Sequence, residues 1–198
     1  EEKSAARKRL GLPDCLTILS AGGSQGASRL NEAVVHLLAY EQKKGNINHI
    51  HGYGKHGKDT FMHSLADNGV NADDPHFIIK EYIDTMYTCL CASDLIITRA
   101  GAMTLTEITA IGRASVLIPY PYAAENHQYY NALTLQNANA GRIIDDKDLT
   151  GALLIDTVNK IADDPELLRL MSENAAKLSK RDAAGIILRE ITELMGIK

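Results

Sequence analysis

A chain of 198 residues, 45% apolar and 23% charged, is long enough for one domain with a full core and too short for two ordinary ones. A net charge of −4 and the absence of Trp argue against a nucleic-acid surface, which needs a basic field and aromatic platforms. No stretch reaches the roughly 18 apolar residues of a membrane helix, and no signal-peptide pattern opens the chain.

The first residues, Glu1 to Arg9, are charged and helix-prone and read as the interior of a longer protein. The first apolar run, Leu16-Thr17-Ile18-Leu19, leads into Ala21-Gly22-Gly23-Ser24-Gln25-Gly26-Ala27, a strand-to-helix turn of small residues. Gly22 and Gly23 allow unusual dihedrals and close approach of an anion, Ser24 adds a hydroxyl and an N–H, and Gly26 is expected to let the next helix pack against its strand. Leu30, Val34, Leu37 and Leu38 then recur at helical spacing. As a dinucleotide fingerprint the turn is imperfect, because Ala21 stands where the first glycine belongs and no acidic residue ends a clear second strand at the expected spacing.

A second strand is expected around Ile50. Gly52-Tyr53-Gly54-Lys55-His56-Gly57-Lys58-Asp59 follows it and nearly spells a phosphate-binding P-loop. Its last position needs Ser or Thr and holds Asp59, so the segment is expected to be a flexible polar loop. His49 and His51 share one strand face, with His56 and His63 nearby, but no carboxylate or further ligand completes a metal site. Strands are expected again around Ile78, Ile96, Leu117 and Ile143.

After Leu95-Ile96-Ile97-Thr98 comes the second small-residue turn, Arg99-Ala100-Gly101-Ala102-Met103-Thr104. Thr104-Leu105-Thr106-Glu107 has the spacing of a capping box, in which Glu107 would tie back to the helix start. The alternative is functional: Ala102, Met103 and Thr104 present N–H groups to a phosphate, and Glu107 accepts from two vicinal ribose hydroxyls. After Ser115–Ile118 the segment Pro119-Tyr120-Pro121-Tyr122-Ala123-Ala124-Glu125-Asn126-His127-Gln128 opens a helix with donors and acceptors suited to sugar hydroxyls. From Thr150 the chain is helical, with a break at Asp164-Pro165 and a last apolar series, Ile186, Ile187, Ile191 and Leu194.

Strands alternating with helices make this an α/β chain, a Rossmann-like, doubly wound, mostly parallel six-stranded sheet in a single domain. Ligands of such sheets sit outside the carboxyl ends of the strands, where both turns lie, and two anion-friendly turns suggest a diphosphate. Cys15, Cys89 and Cys91, odd in number and with Cys-x-Cys spacing, read as reduced thiols in a reducing compartment. No Ser-His-Asp order, Cys-His pair or carboxylate dyad stands out, so no general base is visible.

Four motifs in order carry a resemblance: Gly22-Gly23-Ser24-Gln25-Gly26-Ala27, Tyr82-Ile83-Asp84-Thr85-Met86, Arg99-Ala100-Gly101-Ala102 with Thr104 and Glu107, and Glu125-Asn126-His127-Gln128-Tyr129-Tyr130-Asn131-Ala132. Together they resemble the MurG family of bacterial transferases, which add N-acetylglucosamine to lipid I to make lipid II. The resemblance runs from about Gly11 to the end and covers only the carboxy-terminal half of the family, one lobe of a GT-B architecture. It implies that residues 1–198 form the nucleotide-sugar domain and that the acceptor lobe, with the catalytic base, lipid I site and membrane-facing patch, is absent. It further implies a cytoplasmic enzyme, peripheral on the inner face of the plasma membrane, that takes UDP-GlcNAc as substrate and has no cofactor. With no Asp-x-Asp metal motif expected in the chain, helix dipoles and N–H groups rather than a metal are expected to meet the leaving diphosphate.

Position by position, the resemblance implies that Ser24 and the Gly22-Gly23 backbone meet the diphosphate and that Ile83 pairs its backbone with uracil beside Tyr82. Ala102, Met103 and Thr104 would bind phosphate, Glu107 the ribose, Arg99 would line the pocket, and His127 and Gln128 would read the sugar. Tyr82 stands where Phe is common and Thr85 replaces a frequent Asp. Three other readings remain open at this stage: a stand-alone donor-binding subunit of a split N-acetylglucosaminyltransferase, a diacylglycerol glycosyltransferase domain, and a dinucleotide enzyme.

Overall fold

The computed structural model describes residues 1–180 and 182–196. A strand forms at each of the six expected runs: β1 (Leu16–Ala21), β2 (Ile47–Gly52), β3 (Phe77–Lys80), β4 (Leu95–Thr98), β5 (Ala114–Leu117) and β6 (Gly141–Ile143). They make one sheet in the order β3-β2-β1-β4-β5-β6, with every pair parallel. This is the doubly wound order of nucleotide-binding sheets, whose direction of winding reverses between β1 and β4. Every residue of β2, β4 and β5 is buried, as expected for parallel strands covered on both faces.

Nine α-helices are described: α1 (Lys3–Leu10), α2 (Ser28–Lys44), α3 (Lys58–Asp67), α4 (Met86–Ala92), α5 (Ala102–Ile111), α6 (His127–Asn137), α7 (Gly151–Ala162), α8 (Pro165–Lys177) and α9 (Ala183–Leu194). On one face Ile18, Ile97 and Val116 pack beneath Leu30, Leu37 and Leu38 of α2 and Leu154 and Val158 of α7. On the other, Leu19, Ile50, Ile96 and Leu117 meet Leu90, Leu105, Ile108 and Leu135. The break at Asp164-Pro165 is a helix start: Asp164 Oδ1 accepts from Leu167 N at 3.0 Å, and Pro165 occupies the first turn, where its missing N–H costs nothing.

The charged amino-terminal segment is tied down. Arg7 is buried, and its Nη2 lies 2.5 Å from Asp94 Oδ2. Asp94 also accepts from Lys3 Nζ at 2.6 Å and from Thr17 N at 2.9 Å, which fixes α1 to the amino ends of β1 and β4. Cys89 and Cys91 are buried free thiols, Cys15 is half-buried, and burial pushes the thiols of Cys15 and Cys89 up. α9 buries none of its side chains. The domain expected over 1–198 includes residues 181, 197 and 198, which lie outside the described residues.

Candidate donor site

The sheet register brings three loops to one place. Ala21, the last residue of β1, pairs with Gly52 of β2 on one side and Thr98 of β4 on the other. The turn after β1 and the turn after β4 therefore leave adjacent strand ends at the point of reversal, where open α/β sheets place ligands.

In the first turn Gly26 N donates to Gly23 O at 3.0 Å, and both glycines have φ of +89°. Gly26 does not mediate packing of α2 on β1 as expected. A Cβ there would lie 2.4 Å from Tyr53 O, so Gly26 seats the turn on the loop after β2. The helix–strand contact belongs to Gly22, whose Cβ would fall 2.5 Å from Ala27 Cβ. Gly23 alone of the three faces open space.

The near-P-loop is likewise not a free polar loop. Tyr53 is buried, Lys55 N donates to Ser24 O and His56 N to Gln25 O at 3.2 and 3.3 Å, and Asn31 Nδ2 bonds Tyr53 O at 2.9 Å. The segment is a brace under the first turn.

The second turn leads directly into α5. Its N-cap is Gly101, without a capping side chain, and the first helical bond runs from Leu105 N to Gly101 O at 3.0 Å. Ala102, Met103 and Thr104 thus hold the first three helical positions, whose N–H groups have no partner within the helix and carry the positive end of its dipole. The capping box is not formed. Thr104 lies inside the helix rather than at its cap, so Glu107, a further turn along, has no cap backbone to reach. Glu107 is exposed and turns to the cleft.

Two clefts meet at Gly23. One, of about 280 Å³, is lined by Ala21, Gly23, Ser24, Gly52, Tyr82, Ile83, Met86 and Glu107. The other, of about 470 Å³, runs past Gly22, Gly23, Arg99, Gly101, Thr104, Tyr120 and Gln128. Between them they gather nine of the twelve expected site residues. Ala102 and Met103 are exposed beside them, Met103 by 77%, and His127 is exposed with its Nδ1 2.8 Å from Ala124 O. Met86, Gly52 and Tyr120 were not anticipated, although the Ala21–Gly52 register implies Gly52 once β1 and β2 are paired.

Arg99 lines the second cleft with its charge already engaged. Its Nη1 lies 2.5 Å from Asp146 Oδ1 and donates to Ile118 O and Pro119 O at 3.2 and 3.3 Å, and its guanidinium stands 5.6 Å from the Tyr120 ring centre. Asp146 also faces Arg29 Nε at 3.5 Å, so one carboxylate links α2 to the second turn. Gln128 Oε1 accepts from Tyr120 N at 3.0 Å and holds the proline-flanked loop against α6. That loop is strained: Glu125 and Asn126 have φ of +49° and +56°, uncommon for residues with a side chain and frequent at ligand sites.

The expectation that the chain lacks an Asp-x-Asp string is wrong, because Asp146-Lys147-Asp148 is one; in the fold Asp146 faces Arg29 and Arg99. Among the described residues, no group of three or more His, Cys, Asp or Glu side chains is placed to hold a metal ion. Also among them, no helix is long and apolar enough to cross a membrane.

The sequence model of the glycosyltransferase family 28 C-terminal domain matches residues 17–186. The chain is 38% identical over 183 residues to the UDP-N-acetylglucosamine–N-acetylmuramyl-(pentapeptide) pyrophosphoryl-undecaprenol N-acetylglucosamine transferase of Desulforamulus reducens, covering 92% of this chain and 49% of the relative. To the protein of the same name from Clostridioides difficile it is 37% identical over 193 residues, 97% of this chain and 46% of that one. It thus spans about half the length of these curated relatives.

Among solved structures, Acinetobacter baumannii MurG superposes with a TM-score of 0.78 at 28% identity, over 98% of this chain and 53% of that one. The UDP-GlcNAc 2-epimerase of Neisseria meningitidis, at 12% identity and a TM-score of 0.64 over 96% of this chain and 48% of its own, shares the fold alone. With its reversal-point clefts and Rossmann-like sheet of the GT-B type, this chain belongs to the glycosyltransferase family 28 C-terminal domain family.

Proposed function

We propose that this chain binds UDP-GlcNAc as the donor lobe of an inverting transferase that moves N-acetylglucosamine onto lipid I to form lipid II. The observation that carries the reading is the pair of clefts joined at Gly23, with the uncapped start of α5 at their junction. The names of the relatives support the donor and the acceptor.

In this reading the base lies over Gly52 between Tyr82 and Met86, and pairs with the Ile83 backbone. Glu107 accepts from the two ribose hydroxyls. The diphosphate crosses Gly23 and receives N–H groups from Ser24 and from the first turn of α5. The sugar reaches toward Gln128 and His127. An acceptor hydroxyl attacks the anomeric carbon, UDP departs, and the charge developing on its terminal phosphate meets fixed N–H dipoles that need no reorganisation. Arg99 contributes a charge partly cancelled by Asp146. The donor then needs no metal. The general base, the lipid I site and the contact with the membrane's inner face belong to the portion of the relatives' length that this chain does not span.

Calorimetric titration with UDP and then UDP-GlcNAc tests the reading. Saturable binding that Glu107→Ala weakens by the ~1–3 kcal/mol of a lost charged hydrogen bond is expected. A folded protein that ignores UDP, or prefers NADH, overturns it.

A further inference from the structure

Beneath the base end of the cleft lies a chain of four polar side chains that the donor reading leaves unused. Ser20 of β1 and His49 and His51 of β2 are fully buried, and Glu41 of α2 is 1% exposed. Glu41 Oε2 lies 2.7 Å from His49 Nδ1, His49 Nε2 lies 2.6 Å from Ser20 Oγ, and Ser20 Oγ lies 2.7 Å from His51 Nδ1. The far nitrogen, His51 Nε2, has no hydrogen-bond partner, and the His51 ring packs on Phe61 with centroids 4.7 Å apart.

The Glu41 carboxylate only accepts, so His49 Nδ1 carries a proton. Ser20 Oγ stands between the two rings, within hydrogen-bond distance of His49 Nε2 and of His51 Nδ1, and can donate to one while accepting from the other. His51 Nε2 faces no polar partner, so a proton and charge on that ring would be costly to bury. Burial and the neighbouring His49 hold His51 neutral, its pKa well below the ordinary 6.5. The four side chains form one continuous hydrogen-bonded chain, Glu41 to His49 to Ser20 to His51.

Glu41, His49 and Ser20 have the connectivity of a nucleophilic triad, in the chain order Ser, Glu, His. Complete burial of Ser20 keeps any substrate from its hydroxyl, so the chain has no chemistry of its own. Its place in the sheet gives it another task. Ser20 and His51 are register partners, each one residue before Ala21 and Gly52, the pair that floors the cleft. The floor has little slack: a Cβ on Gly52 would come within 3.2 Å of Ile83 Cδ1. A second route runs upward from His51, because Phe61 also stacks on Tyr53 at 5.4 Å, and the Tyr53 carbonyl seats Gly26 of the first turn.

We propose that Ser20 and His51 are positioning residues for nucleotide binding, their hydrogen bond locking the ends of β1 and β2 so that Ala21, Gly52 and the first turn stand at the height the base and diphosphate require. Apolar residues would fill the same space without specifying one register, which is the best-attested use of a buried polar contact. The proposal rests on the donor reading of the cleft.

The test compares His51→Leu, which removes the hydrogen-bond partner of Ser20 Oγ, with His51→Asn, whose side-chain amide stands where His Nδ1 stood and keeps one. UDP affinity is measured by calorimetry well below each variant's melting midpoint, with near-UV circular dichroism establishing the folded state. The expected result is an affinity for UDP about tenfold weaker in His51→Leu, the loss typical of an unpaired buried hydrogen bond, and restored to within about twofold in His51→Asn. A role confined to stability lowers the midpoint and leaves the affinity of the folded protein alone. Unchanged affinity in His51→Leu overturns the proposal, as does His51→Asn binding as weakly as His51→Leu. If His51→Leu does not fold, Ser20→Ala, which deletes only the hydroxyl, is read in the same way. Wild type and Glu107→Ala are run alongside: wild type that does not bind UDP removes the donor reading and the proposal with it, whereas wild type that binds normally isolates the failure to Ser20 and His51.

Discussion

Gly26→Ala and Gly23→Ala separate what the first turn needs for folding from what it needs for a ligand. Both residues have φ of +89°, so either alanine bears the cost of a left-handed backbone, about 1–2 kcal/mol. Only Gly26 meets an obstacle: its new Cβ would stand 2.4 Å from a main-chain oxygen, Tyr53 O, which is itself held by Asn31. Relieving that overlap by moving backbone costs about 1–3 kcal/mol more. Gly26→Ala is therefore destabilised by roughly 2–5 kcal/mol, a melting point lower by about 4–20 °C for a domain of this size. Gly23→Ala has nothing within 4 Å of its Cβ and loses only the first amount, about 2–8 °C. Its methyl instead enters the junction of the two clefts, so UDP affinity falls more in Gly23→Ala than in folded Gly26→Ala. Differential scanning calorimetry and UDP titration of both proteins give the comparison. Equal destabilisation, or a greater loss of affinity in Gly26→Ala, would refute the division of labour between these glycines.

Three further outcomes are expected. Asp94→Ala removes one of the two carboxylates on the buried Arg7, leaving Asp14, and takes the acceptor from Thr17 N; the cost is about 3 kcal/mol, the low end for breaking a buried pair, and amide exchange should quicken first in α1. Because His51 is held neutral in the fold and protonates more readily once unfolded, stability is full above pH 6.5 and declines as pH falls below it. His51→Asn flattens that decline in a series of thermal melts, and an unaltered slope would show that another group governs it. Asp146→Asn removes the counter-charge beside Arg99, so UDP binding should tighten about two- to fivefold at low salt and the gain should fade with added salt. Weaker binding at low salt would mean that Asp146 serves chiefly to aim the guanidinium.

The elements most legible in the sequence were those whose signal is local. Ile18, Ile50, Ile96 and Leu117 sit in β-branched or apolar runs bounded by turn residues, and buried parallel strands leave that pattern. Asp164-Pro165 identified a helix start for the same reason. The site was legible where a turn follows a strand directly, as at Gly22-Gly23-Ser24 and at Ala102 to Thr104. The capping-box spacing at Thr104 and Glu107 misled because Gly101, ending the tight exit from β4, already occupies the cap. Contacts between distant segments left no local trace. Nothing near Gly26 announces Tyr53 O, nothing near Arg99 announces Asp146, and Ser20 acquires two histidine partners only when β2 is laid beside β1.

The pairing of Ala21 with Thr98 gives the site the character of a caliper. Neighbouring strands run about 4.8 Å apart, a spacing enforced by the whole hydrogen-bonded ladder rather than by any side chain. The two turns that leave those strand ends, at Gly22 to Ser24 and at Gly101 to Thr104, are jaws set at a fixed opening. Two anionic groups joined in one molecule can touch both jaws at once, whereas a lone phosphate occupies one. On the donor reading, preference for linked over single phosphates rests on the main chain, and substitutions of lining side chains should change how tightly a ligand is held before they change which spacing of charge is chosen.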